Sequence, residues 1–204
     1  LTVSFHTEKL AHRLEHADTY SGKVVVKDIG LPHAEQSDER AGYVWMVEPP
    51  SAQALAKPTE GQKYSQGHAL ILSGGPGRTG AARLAARAAL RVGAGLVTLG
   101  VPPKAQAEVA SHITAIMQTP IANADVLTEL LWDARLNALC LGPGLGIGEA
   151  ERALVEAALP LYRPIVLDAD ALSMFRNAPA DLFELCHDRA VLTPHGGEFG
   201  RLFP

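Results

Sequence analysis

The sequence predicts an α/β protein in which a mostly parallel central sheet is flanked by helices. Short apolar runs typical of buried strands recur after Gly67, and amphipathic patterns rich in Ala or Leu separate most of them. Continuous apolar strands that alternate with helices indicate a parallel sheet covered on both faces. The 204 residues, 47% of them hydrophobic and 20% charged, are enough for one sizeable core.

Residues 1–32 contain two short strand-like runs, "LTVSF" and "KVVVKDIG", joined by a polar connection. Periodicity is lost in residues 33–62, which include the polar "HAEQSDER" and a stretch rich in Pro and Ala. We therefore interpret 33–62 as a linker or covering segment that precedes an α/β domain in residues 63–204.

Strands and helices alternate in the predicted domain. The strand-type runs are "ALILS", "GLVTLG", "ALCLG", "PIVLDAD" and "AVLTP". The clearest helical patterns are "GAARLAARAALRVG" after the first run and "GEAERALVEAAL" after the third. In the first helix Arg83, Arg87 and Arg91 recur every four residues, which predicts one solvated face.

Composition excludes several classes of function. A net charge of −4 gives no basis for binding nucleic acid or a membrane surface. No apolar run approaches the roughly 18 residues of a membrane span. Cys140 and Cys186 lie far apart in apolar segments, which indicates neither disulfides nor zinc and favours a reducing, cytoplasmic location. Because the chain starts on Leu1 and stops just after a predicted helical turn, we expect a fragment of a longer protein.

Ligands of open α/β sheets bind beyond the carboxyl ends of the strands. The first predicted strand end reads "SGGPGRTGA" and spells Gly75-x-Gly77-x-x-Gly80. A dinucleotide fingerprint also needs an acid at the end of the next strand, but the first acid there is Glu108, too late in the sequence. A P-loop fails because Ala81 follows Gly80 where Lys is required. An anion-binding turn of unassigned partner remains.

The second strand end is also rich in glycine. It reads "LGPGLGIG", with glycines at Gly142, Gly144, Gly146 and Gly148. A plain explanation is a loop that needs a few positive φ angles. Two strand ends use glycine in this way, however, so we favour close backbone approach to a ligand.

The third and fourth strand ends carry acids and an imidazole. Strand alternation in "VLDADALSMF" would place Asp168 and Asp170 on one side, where they could hold magnesium or orient a hydroxyl. Alternatively Asp170 caps the following helix, which leaves Asp168 as the preferred functional carboxylate. In "VLTPHGGEF", His195 could bind a polar ligand or simply be solvated, and Glu198 could favour the helix dipole. These residues suit a nucleotide and a polar small substrate, with the reaction type open.

Four segments together strongly resemble the ADP-dependent NAD(P)H-hydrate dehydratase family, which has a ribokinase-like fold. They are "GHALILSGGPGRTGAARLAARAALRVGAGLVTLGVP", "LCLGPGLG", "PIVLDADALS" and "VLTPHGGEFGRLF", in family order from Lys63 to Pro204. The earlier "LTVSFHTEKL" and "SGKVVVKDIGLP" resemble the tail of the NAD(P)H-hydrate epimerase domain that precedes the dehydratase in bacterial two-domain enzymes. The resemblance implies a bifunctional repair enzyme whose C-terminal part lies outside this chain.

The resemblance implies that ADP, or ATP, and Mg²⁺ serve to dehydrate NAD(P)H hydrate through phosphoryl transfer to the ring hydroxyl. Small nucleotides would be its partners, and the family favours a homo-oligomer. Matching motifs would place the hydrated nucleotide against Ala81, Gly144, Gly146 and His195. Residues near the nucleotide and phosphates would be Gly75, Gly77, Gly80, Gly142, Asp168, Asp170 and Glu198, with Asp168 as the possible magnesium ligand.

Two departures from the family pattern qualify these expectations. The family's Asn-Gly-Thr-Gly-Asp motif, which holds the catalytic base, would come after Pro204, so we expect no catalytic residue within the chain and no turnover by it alone. Ser173 stands where the family commonly has Asn. A ribokinase-like small-molecule kinase and a noncatalytic nucleotide-binding domain are alternatives, and a Rossmann oxidoreductase is the least favoured because the ribose-binding acid is missing.

Overall fold

The computed structural model describes residues 1–14, 16–31, 49–51, 56 and 63–203. The chain forms two compact units, Leu1–Ser51 and Ala52–Pro204. Apart from 49–51 and 56, the predicted linker 33–62 lies outside the described residues.

The first unit contains the two predicted strands. β1 (Thr2–Phe5) pairs in parallel with β2 (Val24–Lys27), and the connection holds a 3₁₀ helix (Leu10–His12) and α1 (Ala17–Ser21). Only Ser4 and Ala17 are buried among the described residues of this unit. So small a buried set provides little hydrophobic stabilisation within the unit itself.

The second unit is built on a six-stranded sheet in which every strand pair is parallel. Its strands are β3 (His68–Leu72), β4 (Leu96–Val101), β5 (Met117–Pro120), β6 (Ala138–Leu141), β7 (Ile165–Leu167) and β8 (Ala190–Leu192). All five predicted strands are confirmed. The prediction missed β5, an edge strand of sequence "MQTP" whose polar residues and proline give no strand pattern.

Helices cover both faces of the sheet. They are α2 (Gly80–Val92), α3 (Gln106–Ala110), α4 (Ala124–Leu130), α5 (Glu149–Ala158), α6 (Asp170–Ser173), α7 (Pro179–Leu185) and α8 (Gly196–Leu202), with 3₁₀ turns at Lys63–Gln66, Pro103–Ala105 and Leu159–Leu161. On α2, Arg87 and Arg91 are exposed as predicted. The prediction is wrong for Arg83, which is half-buried, with its Nε shielded from solvent. None of the described helices is long and apolar enough to cross a membrane.

Alternate residues of the central strands bury opposite faces of the sheet. Leu70 and Leu72 of β3 pack into the larger core with α4, α5 and α7, whereas Ile71 packs with Ala82 and Ala86 of α2 in the smaller core. All three β3 side chains are at most 2% exposed. Burial on both faces explains why β3 reads as a continuous apolar run.

The strand order is β5-β4-β3-β6-β7-β8. The chain therefore proceeds outward from β3 to one edge, returns to β6 beside β3, and proceeds to the other edge. Such a reversal of direction creates a crevice at the carboxyl ends of the two central strands. The fold places the two glycine-rich loops at this crevice.

Candidate functional site

A cleft of about 370 Å³ opens where the loops after β3 and β6 meet. Four of the six strands send the connections that follow them to its wall. The lining residues with most bearing on chemistry are Gly75, Arg78, Lys104, Leu145 and Glu151. A cavity of this size, whose wall carries two cations and one carboxylate beside the half-buried Gly75, has a net positive charge that suits an anionic small molecule.

Several glycines are required because the two loops pack backbone against backbone. A Cβ on Gly74 would lie 1.8 Å from the carbonyl oxygen of Gly144, and one on Gly144 would lie 2.7 Å from that of Arg78. Gly144 also has a φ of +71°. The structure thus explains these glycines by close packing of the two loops on each other, and close approach to a ligand stays a prediction. Gly75 and Gly77 differ, because a Cβ there would meet nothing within 4 Å.

The second loop is also fitted to the end of β7. A Cβ on Gly142 would lie 1.7 Å from the carbonyl oxygen of Asp168, and Gly142 has a φ of +127°. The Asp168 N–H donates to the carbonyl of Leu141 at 3.1 Å. Because β7 ends at Leu167, the expectation that strand alternation places both aspartates on one side is wrong.

Asp170 binds the second glycine loop. Its Oδ2 accepts a hydrogen bond of 2.9 Å from the N–H of Gly146, whose φ is +108°. The alternative in which Asp170 caps its own helix is wrong, since Ala169 occupies the N-cap position and α6 has no side-chain cap. The carboxylate therefore ties the connection after β7 to the connection after β6.

The first loop is held by Glu108 of α3. One carboxylate oxygen accepts from the Gly77 N–H at 2.8 Å, and the other accepts from the Thr79 hydroxyl at 2.6 Å. These two bonds lower the pKa of Glu108, and the bond from the Thr79 hydroxyl has the larger effect. From the sequence alone, Glu108 is only an acid that comes too late in the chain to bind ribose. The available signal was its place on the helix that follows β4, at the same edge of the sheet.

His195 occupies the N-cap of α8. Its Nδ1 accepts from the Gly197 N–H at 3.0 Å, and its own backbone N–H donates to Glu198 at 3.0 Å. Because Nδ1 is the acceptor, the neutral ring carries its proton on Nε2, which lies 3.4 Å from Glu198 Oε1. The ring is 68% exposed and Glu198 is buried. The placement of Glu198 in the first helical turn is confirmed.

The described contacts do not join all the candidate residues. β8 lies two strands from β6, so His195 is offset from the Gly142 loop by roughly 10 Å, given the usual spacing of strands. Gly80 begins α2 and Ala81 follows it with an exposed side chain. Their first-turn N–H groups have no partner within the helix and are the kind of donors that bind anions.

Comparison with known proteins adds the family. A family model described as NAD(P)H-hydrate dehydratase matches residues 69–204. The chain belongs to the NAD(P)H-hydrate dehydratase family. The two glycine loops, Asp168 and His195 all lie within this match.

Curated relatives of this dehydratase-family chain include proteins named bifunctional NAD(P)H-hydrate repair enzyme. The one from Coxiella burnetii is 35% identical over 99% of this chain and 40% of its own length. The one from Moorella thermoacetica is 38% identical over 98% of this chain and 40% of its own length. The chain thus spans about 40% of the length of these relatives, and the matches cover nearly all of this chain.

Solved structures agree with the family. A Bacillus subtilis ADP/ATP-dependent NAD(P)H-hydrate dehydratase, co-crystallised with ATP and Mg²⁺, is 27% identical with a TM-score of 0.55 over 72% of this chain and 51% of that chain. A ribokinase-like superfamily protein from Enterococcus faecalis gives a TM-score of 0.62 at 22% identity, over 72% and 51%. The ribokinase-like α/β fold predicted for this chain is confirmed.

The acidic residues of the site bear on how it could bind magnesium. Within the part of the chain that the structure describes, no group of three or more His, Cys, Asp or Glu side chains could hold a metal ion. Magnesium usually takes only one or two protein carboxylates together with substrate phosphates. Asp168 is half-buried, and its charge adds to burial in raising the pKa of the Cys140 thiol. The role of Asp168 as a magnesium ligand stays a prediction.

Proposed function

We propose that this chain is part of a nicotinamide-nucleotide repair enzyme, which dehydrates NAD(P)H hydrate to NAD(P)H while consuming ADP or ATP. The observation that carries the proposal is the dehydratase-family match over residues 69–204, which includes both glycine-rich loops, after β3 and after β6, that meet at the cleft. Relatives named bifunctional match nearly the whole chain, and this supports a second activity in the complete protein. On that basis residues 1–32 are the tail of an epimerase domain, and 63–204 begin the dehydratase.

The hydrated nucleotide is proposed to lie across the carboxyl edge of the sheet, against Ala81, Gly144, Gly146 and His195. The open space beside the half-buried Gly75 and the cations of Arg78 and Lys104 support this placement, because they offer room and positive charge for phosphates. The proposed surroundings of the nucleotide are Gly75, Gly77, Gly80, Gly142, Asp168, Asp170 and Glu198. Of these, Gly77 and Gly146 already donate their N–H groups to carboxylates, so their contribution is loop shape.

The proposed chemistry transfers a phosphoryl group from ADP to the hydroxyl of the hydrated ring. AMP is left behind, the phosphate then departs with that oxygen, and the neighbouring ring carbon loses a proton, so that the ring double bond is restored. Such a transfer depends mainly on alignment and charge stabilisation. Magnesium, held in part by Asp168, would neutralise phosphate charge, whereas Arg78 and Lys104 would orient the nucleotide. The base that removes the hydroxyl proton is proposed to come from sequence that follows residue 204.

The remaining proposals concern the setting of the enzyme. We propose a cytoplasmic homo-oligomer that acts on small nucleotides, without nucleic acid or membrane partners. The cofactors are ADP or ATP with Mg²⁺, in line with the ATP and Mg²⁺ of the Bacillus subtilis dehydratase crystals.

The deciding experiment incubates hydrated NADPH with Mg²⁺ and ADP, and follows recovery of reduced-nicotinamide absorbance. The 204-residue chain and the product of its full reading frame are assayed in parallel. We expect recovery only with the full product. Recovery with the short chain would contradict a base beyond residue 204. A stable phosphorylated product without recovery would instead indicate a small-molecule kinase, and nucleotide binding without turnover would indicate a binding domain.

A further inference from the structure

The carboxylate of Glu108 bridges two connections of the sheet. It lies on α3, which follows β4, and it binds Gly77 and Thr79 of the loop that follows β3. The two bonds, 2.8 Å and 2.6 Å long, occupy one carboxylate oxygen each. Charge-assisted bonds of this kind are stronger than bonds between neutral groups.

Thr79 and Gly77 both donate hydrogen bonds to Glu108, and each has little else to fix the donor group. Thr79 is 0% exposed and is the N-cap residue of α2, but its hydroxyl makes no cap bond to that helix and donates to Glu108. Gly77 has a φ of +76° and open space where a Cβ would be. The N–H bond to Glu108 therefore orients this peptide together with the turn bond from the Arg78 N–H to the Gly75 carbonyl.

The same carboxylate limits what the loop can bind. A phosphate at the Gly77 N–H would have to displace Glu108, and the two negative charges would repel each other. Gly75, Pro76 and Arg78 of this loop line the cleft, and of these Gly75 offers a backbone N–H and Arg78 a guanidinium. Glu108 thus fixes both the shape and the donor set of the cleft wall.

We infer that Glu108 is a positioning residue, which holds the loop Gly75–Gly80 so that Gly75 and Arg78 face the nucleotide. The identity of that nucleotide rests on the proposed function, whereas the contact itself does not. Glu108 acts through the loop and needs no contact with substrate.

The charges around Glu108 favour its ionised form. The bonds from the Thr79 hydroxyl and the Gly77 N–H lower its pKa most, and Arg83 on α2 and His112, just after α3, lower it further. Since the ionised form accepts both bonds, the contact is complete above the ordinary pKa of a glutamate. It is lost as the pH falls through the lowered value.

The contact is tested by hydrogen exchange in the full reading-frame product, which requires no activity. Glu108→Ala should accelerate exchange of the Gly77 amide by about tenfold or more, because its acceptor is lost. Glu108→Gln keeps an acceptor, and Glu129→Ala removes an exposed carboxylate from α4, so both should stay near the wild-type rate. Unchanged exchange in Glu108→Ala would overturn the inference. If that variant does not fold, Glu108→Asp, one methylene shorter, should show the same direction.

The positioning role is tested by a split in the kinetic constants. Glu108→Ala should raise the KM for hydrated NADPH about tenfold and leave the KM for ADP within about twofold, while Glu108→Gln restores most of the loss. A merely structural role would lower active enzyme concentration with both KM values unchanged, and that result would contradict positioning. If the wild-type enzyme shows no dehydration at all, the proposed function fails, while the exchange result still decides whether Glu108 holds the loop.

Discussion

Single residues at this site are fixed by distant backbone. The glycine at position 142 is required because the Asp168 carbonyl, 26 residues later in the sequence, occupies the space of a Cβ. Sequence alone flagged the cluster of glycines and the two aspartates. It could not pair Gly142 with Asp168 or Gly146 with Asp170, because those pairs form only when β6 and β7 lie side by side.

Gly142→Ala is therefore expected to destabilise the fold. The new Cβ would lie 1.7 Å from the Asp168 oxygen at a φ of +127°, so clash and backbone strain add. We expect the free energy of unfolding to fall by at least about 3 kcal/mol in denaturant titrations. Gly75→Ala is the matched control, since its Cβ meets nothing, and should change stability by less than about 1 kcal/mol. Equal losses in the two variants would contradict this account of Gly142.

At the scale of elements, Arg163 stabilises the end of α4. Its guanidinium donates to the carbonyls of Leu131, Asp133 and Leu136, which follow the helix. A charged donor makes stronger hydrogen bonds to such carbonyls than a neutral donor does. Arg163, just before β7, thus joins the connection after α4 to the larger core.

Arg163→Met should lower the free energy of unfolding by about 2–4 kcal/mol, because three carbonyls lose a charged donor while most of the side-chain volume stays. Arg163→Lys should lower the free energy of unfolding by less than Arg163→Met does, since it keeps a charged donor, although one ammonium cannot reach all three carbonyls. Arg87→Met, on the exposed face of α2, is the control and should cost less than about 0.5 kcal/mol. Denaturant unfolding measures all three, and a neutral Arg163→Met would refute the assignment.

Elements differed in how well sequence predicted them. β3 and β4 are buried on both faces, so their apolar runs were unmistakable. β5 was missed because an edge strand is held by backbone pairing to β4, which requires no apolar pattern. The edge placement of His195 was likewise set by strand order, which sequence left open.

At the scale of the whole molecule, the reactivity of the Cys140 thiol should report on unfolding of the sheet. It lies in the interior strand β6, and burial, with the Asp168 charge, raises the pKa of its thiol. Since the thiolate is the reactive form, Cys140 should react at mildly alkaline pH far more slowly than an unfolded thiol. The contribution of this raised pKa to stability is present below the ordinary thiol pKa and is lost as the pH rises through the raised value.

Thiol-labelling kinetics in a Cys186→Ser background test this expectation, because Cys140 is then the single cysteine. Native protein should react at least about a hundredfold more slowly than protein in denaturant, with the rate rising through the unfolding transition. A native rate equal to the denatured one would show that β6 is open to solvent.

The sequence by itself determined the α/β class, both strands of the first unit, five of the six strands of the second, the glycine loops and the family resemblance, because apolar periodicity and local turn chemistry are written in neighbouring residues. Tertiary structure alone decided that Glu108 binds the glycine loop after β3 and that Asp170 binds the glycine loop after β6. It also decided that His195 follows a strand, β8, that lies two strands away from β6. The physical reason is that hydrogen bonds between loops depend on which strands become neighbours. Strand order is set by packing over the whole sheet, and no local pattern in the chain encodes it.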